Sequence, residues 1–282
     1  MKHTIFLYLF LFVVVNIYAQ LQKNEPEIFL NEAMLKSISF NANFNNSIDY
    51  TRGNLLLLSS YNQFYVLGVG GIAPIFEKTN NKIDAFSVAT FDKILMVISG
   101  KSLLQIDSIG NFIKVMTLPD DKMGIASGNS RIYLFNQSIQ NNKTDYSLFS
   151  LTTDLELKKI VSFKTPITAV YEYGSDLFFT TENKLYRAND VIKAYTEVVA
   201  LPQEKNTIVS IVGDTINNAF YISTKDAIYR INQNNVLECI STDFGGILKY
   251  DGEGLLVFNP ENSLIVRFRN NILYSSEIEP QK

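Results

Sequence analysis

Short apolar runs punctuated by turn residues dominate the chain from residue 47 onward, and helical spacing is almost absent. The cleanest runs are Leu55–Leu58, Ile94–Ile98, Ile132–Phe135, Leu177–Thr180, Ala219–Ser223 and Leu255–Phe258. Continuous apolarity over four or five residues predicts strands covered on both faces. Each run follows a turn rich in Gly, Asn, Asp or Ser, such as Gly128-Asn129-Ser130 and Asn217-Asn218, residues that tolerate tight hairpin angles. A second phrase then recurs: Phe64–Leu67, Leu103–Ile106, Leu148–Leu151, Leu185–Ala188, Ile228–Ile231 and Leu264–Arg267. Five intervals separate Tyr65 from Ile265, a mean spacing of 40 residues. Self-similarity at that period, built from strands, predicts a β-propeller rather than a sandwich.

The pattern completes blade by blade. Inner strands are expected near Ser47–Thr51, Ala85–Thr90, Gly124–Ser127, Thr168–Tyr173, Ile208–Val212 and Ile247–Asp251. Outer strands are expected at Ile72–Glu77, Phe112–Leu118, Leu155–Phe163, Tyr195–Leu201, Val236–Ser241 and Ile272–Glu277, several ending at or near proline. The expected fold is all-β, with six blades of four antiparallel strands over residues 47–278 and a tail at 279–282. Residues 20–46 form an arm. Ile28–Leu30 or Leu35–Phe40 is expected to close the ring as an N-terminal strand, since an open ring leaves long strand edges unpaired. The best helical candidate is short, Asn31–Lys36.

Residues 1–19 read as a secretory signal peptide: Lys2, the eleven-residue apolar run Ile5–Val15, then Ala19 before a polar residue. The run is shorter than the ~20 residues of a spanning helix. The mature protein is therefore expected to be exported, to the periplasm, the outer membrane or the exterior of a bacterium, with no membrane span left after cleavage. It carries no polybasic run and more acidic than basic side chains, which argues against nucleic acid as a partner. The one cysteine, Cys239, forms no intrachain disulfide and is expected half-buried in an outer strand.

The only histidine, His3, lies in the leader. Histidine-dependent triads and histidine-ligated metals are thereby excluded from the mature chain. The chain also lacks tryptophan. Lys184–Asn189 and Ala227–Asn232 share a strand phrase in which Leu or Ile is followed by Tyr-Arg, then Ala or Ile, then Asn. This pattern resembles the six-bladed group of NHL-repeat, TolB-like and gluconolactonase-like propellers at the level of the fold. The gluconolactonase-like resemblance implies a divalent cation such as calcium held by oxygen ligands in the central channel. Its candidates here are Asp49, Asp84, Glu172 and Asp251. No motif groups them, and no cofactor is predicted from the residues themselves.

Fold does not specify function, so three readings follow. The leading one is a non-enzymatic protein-interaction module, an accessory subunit of an envelope assembly that binds another envelope or secreted protein. The alternatives are a cation-dependent lactonase or hydrolase and a small-molecule or glycan sensor. Candidate contacts are Tyr61 in a turn, Tyr171 and Tyr173 on the fourth inner strand, and Gln137, Asn141 and Asn142 in the polar insertion of the third blade. Gly68–Gly71 and Gly245-Gly246 read as a hairpin and a crossing loop, not phosphate loops.

Overall fold

A computed structural model describes residues 26–40, 48–51, 54–68, 70–76, 79–89, 94–121, 123–129, 131–137, 145–152, 154–189, 194–202, 206–259 and 263–274. The leader, Asn141 and Asn142 lie outside these residues. The described strands form six sheets of four, each an antiparallel blade of a propeller. Five blades run in chain order from the inner strand outward: β2–β5 (Ile48–Ile75), β6–β9 (Ala85–Thr117), β10–β13 (Met123–Phe163), β14–β17 (Ala169–Ala200) and β18–β21 (Ser210–Ser241). The sixth places β22 (Ile247–Tyr250) innermost, then β23 (Gly254–Asn259) and β24 (Leu264–Arg269), with β1 (Glu27–Leu30) outermost.

The N-terminal strand thus closes the ring, and one expectation is corrected. Ile272 begins no outer strand. Asn270–Leu273 instead forms a short helix, α2, and residues 275–277 lie outside the described residues. The edge of β24 is already taken by β1, with Glu27 opposite Arg267 and Leu30 opposite Ile265. Leu273 is then fully buried between blades five and six, which draws the chain inward.

Period-two alternation explains why the second strands are apolar throughout. Along β3 (Asn54–Leu58), Leu55 and Leu57 pack toward blade six, while Leu56 and Leu58 pack toward blade two. β23 repeats this: Leu255 and Val257 face blade five, and Leu256 and Phe258 face blade one. Six such clusters, one at each junction of neighbouring blades, make up the core. At the seam, helix α1 (Glu32–Ser37) is capped by the Asn31 side chain on Met34 N. It buries Leu35 in the cluster joining blades six and one.

The outer strands share one irregularity. In β9 (Phe112–Thr117), β13 (Leu157–Phe163), β17 (Ala194–Ala200), β21 (Leu237–Ser241) and β1, pairing with the third strand slips by one residue, leaving Val115, Ile160, Val198, Ile240 and Phe29 as the extra residue. Each is apolar and packs on an interblade cluster. Such bulges blunt an exposed sheet edge. Blade one lacks the slip but carries Pro74 opposite Tyr65 in β5 (Gly71–Ile75). The two-residue turn makes Gly68–Gly71 a hydrogen-bonded pair, so alternation puts Pro74 in a non-bonded pair with its nitrogen facing solvent. All six rim edges are therefore protected against added strands. The bulge at Ile240 also corrects the placement of Cys239: Ile240 turns inward and the thiol is exposed.

Candidate functional site

The inner edges of β2 (Ile48–Thr51), β6 (Ala85–Ala89), β10 (Met123–Ser127), β14 (Ala169–Tyr173), β18 (Ser210–Asp214) and β22 enclose an axial cavity of about 360 Å³. Its polar wall includes Asp49, Ser87, Tyr171, Glu172, Lys249 and Tyr250. An inner strand has one edge unpaired, and backbone groups there need partners. Neighbouring side chains supply several. Asp49 Oδ2 accepts from Val88 N at 2.8 Å and Ser87 Oγ at 3.2 Å in blade two. Ser210 Oγ accepts from Leu248 N at 3.0 Å, and the Tyr171 hydroxyl donates to Gly213 O at 3.3 Å. The ring closes electrostatically as well, because Lys249 Nζ lies 3.0 Å from Asp49 Oδ1.

Glu172 is another link across blades. It accepts from the Tyr133 hydroxyl at 2.9 Å and from Asn129 N, both in blade three. Asp84 and Asp251 lie outside the cavity wall. Asp84 accepts from Gly100 N at 2.7 Å and pairs with Lys82 at 2.7 Å. Asp251 caps the turn onto β23 through Glu253 N and Gly254 N and pairs with Arg267 at 2.6 Å. Two of the four cation candidates thus line the channel, in blades one and four on opposite sides, each bonded within the protein. Among the described residues no three Asp, Glu, Cys or His side chains gather as a metal-binding group. This donor set does not fit the six to eight oxygens that calcium requires.

A second cluster, missed by sequence reasoning, lies at the end of β18 (Ser210–Asp214). Asp214 is fully buried and accepts from Ile216 N, Asn217 N, Asn217 Nδ2 and the Tyr274 hydroxyl. Burial pushes its carboxyl up, but the hydrogen bonds from Asn217 and Tyr274 outweigh burial and hold it below the usual range. The Tyr221 hydroxyl donates in turn to that of Tyr274 at 2.8 Å. Burial first, then the neighbouring Asp214, raises the phenol of Tyr274 well above its ordinary value. Burial likewise pushes Tyr250 up to about 12. The signal was legible in retrospect: Asp214 precedes Asn217 as a turn-forming Asx residue. Its tyrosine neighbours come from other elements, Tyr221 and Tyr250 from strands and Tyr274 from the end of α2. Gly213 is required here, because a Cβ would approach the rings of Tyr171 and Tyr173 to 2.8 Å.

The turns divide between two faces of the disc. First-to-second and third-to-outer connections of a four-strand meander emerge together, and the remaining connections emerge opposite. On the first face, Ile109, Leu155, Ile216 and Val236 stand at turn tips, 79%, 52%, 71% and 50% exposed. Tyr173, whose hydroxyl donates to Asn218 Oδ1 at 2.6 Å, ends on this face, whereas Tyr171 faces the channel. Tyr61 and Gln137 sit on the opposite face, Tyr61 exposed and Gln137 half-buried.

No protein-family model and no curated protein sequence matches the chain. Solved structures match in fold. A gluconolactonase from Xanthomonas campestris is 10% identical with a TM-score of 0.60, covering 86% of this chain and 94% of that one. An auxiliary nutrient binding protein from Bacteroides thetaiotaomicron is 9% identical with a TM-score of 0.60, covering 86% and 75%. The extracellular domain of a proposed one-component system from the same organism is 14% identical with a TM-score of 0.57. The match covers 79% of this chain but only 32% of that domain. At these identities the shared property is the fold. The chain is a six-bladed β-propeller of four-stranded blades, similar in architecture to gluconolactonase-like proteins.

Proposed function

We propose that this protein is an exported, non-enzymatic propeller that docks a partner protein of the bacterial envelope or cell surface. The observation that carries the reading is the set of aliphatic tips, Ile109, Leu155, Ile216 and Val236, on one face of the disc. The tips stand on turns of blades two, three and five, so a partner that covered this face would meet an apolar side chain on each of these blades. The protected rim edges leave the faces as the surfaces available for contact. The channel carboxylates, by contrast, are spent on linking blades. The leader and the extracellular or nutrient-binding assignments of fold neighbours support export.

The test is affinity capture from envelope extracts with the mature protein and with the triple variant Ile109→Asp, Leu155→Asp, Val236→Asp. One stoichiometric partner, recovered with the parent and lost with the variant, is the expected result. Recovery by both proteins, or by neither, overturns the assignment of this face.

A further inference from the structure

On the same face, blade five differs from its neighbours. Its turns Thr215–Asn218 and Asn232–Val236 carry no charged residue. Between them lies a recess of about 210 Å³ lined by Asn217, Asn218, Asn232, Gln233, Asn234 and Tyr274, with Arg230 at its floor. The charges in this wall are neutralised internally. Arg230 Nε and Nη2 donate to Glu238 Oε2 at 2.9 and 2.5 Å, and Nη1 donates to Leu273 O at 2.9 Å. Asp214 is saturated by Asn217 and Tyr274.

The walls are also built rather than loose. Asn232 Oδ1 accepts from Asn234 N and Val236 N at 3.0 and 3.1 Å. Asn218 holds a left-handed conformation, φ 52°, with its Oδ1 taking the Tyr173 hydroxyl. The side chains of Gln233 and Asn234 stand exposed beside the recess. Each amide offers a donor and an acceptor, as each sugar hydroxyl does. Ile216 and Val236, on the same two turns but outside the lining of the recess, expose apolar surface of the kind that the C–H face of a pyranose ring packs against.

From this juxtaposition we infer that the blade-five recess is a binding site for a neutral saccharide, one ring seated among the amides. A compact pocket whose one charged lining residue, Arg230, is paired within the protein suits a neutral ring better than an anion or an extended peptide. The inference does not rest on protein docking, since its test uses the purified chain alone.

The experiment is ligand-observed NMR and equilibrium titration with glucose, galactose, mannose and N-acetylglucosamine, repeated on Gln233→Ala, Asn234→Ala and Asn218→Gly. Glycine suits the left-handed backbone at 218, and thermal melts establish that each variant folds. Saturable binding of at least one sugar, weakened tenfold or more by the variants and unchanged in Asn111→Ala on blade two, is expected. No saturation with any of the four, or binding indifferent to the blade-five variants, overturns the site. Preferential binding of an uncharged peptide over every sugar overturns the ligand class.

Discussion

The Tyr274 hydroxyl donates to Asp214 across 2.5 Å, joining residues 60 apart and fastening the C-terminal segment onto blade five. Arg230 adds to the clasp, its guanidinium 4.9 Å above the Tyr274 ring. β1 closes blade six, so Glu27–Leu30 and Tyr274 hold neighbouring blades of the ring.

Tyr274→Phe removes one donor from a buried carboxylate and strands the Tyr221 hydroxyl. Urea unfolding at pH 7 should show a loss of about 1–3 kcal/mol. Asp214 titrates below its ordinary range in the fold, so its contribution is complete above the unfolded value near pH 4. That contribution is lost as pH falls through the lower folded value, and unfolding series between pH 6 and 2 should show a shallower acid limb in Asp214→Asn.

The tyrosine cluster sets the alkaline limit. Tyr221, Tyr250 and Tyr274 all titrate above the ordinary phenol value of about 10, chiefly through burial. A raised phenol contributes stability below the unfolded value and loses it as pH rises. Absorbance at the tyrosinate band should therefore show a late group of phenols that ionises together with unfolding, not before it.

Asp49 and Lys249 join blades one and six, but the two side chains are not equivalent. Asp49→Ala frees Val88 N and Ser87 Oγ as well as Lys249, so it should cost more than Lys249→Ala. A double-mutant cycle should return a coupling of about 0.5–3 kcal/mol. A coupling of zero would mean that the pair does not help close the ring.

Leu30 is 1% exposed at the end of the closing strand. Leu30→Ala should cost about 2–5 kcal/mol by chemical denaturation. Removal of residues 1–30 bares the β24 edge, and size-exclusion chromatography should then show aggregates.

Pro74 stands where the other five outer strands bulge. Pro74→Val restores an outward N–H to an uncharged edge strand. Sedimentation velocity should reveal concentration-dependent association in the variant and none in the parent, with little change in melting temperature.

The repeat and its period were legible because burial between radial sheets makes the second strand of each blade apolar on both faces, as in Leu55–Leu58 and Leu255–Phe258. Turn residues such as Asn217-Asn218 marked the hairpins because few side chains accept their backbone angles. Local pattern thus determined the strands, the blade count and the presence of a closing strand in the arm. It could not choose between Ile28–Leu30 and Leu35–Phe40, nor foresee α2, because both outcomes depend on which segment occupies the edge of β24 in the closed ring. The partners of Asp49, the isolation of Asp84 and Asp251 from the channel, and the tyrosines around Asp214 were likewise decided only by the closed ring. A blade repeats every forty residues in sequence, but it meets its neighbours through space, and only the circular arrangement brings Lys249 to Asp49 or Tyr274 to Asp214.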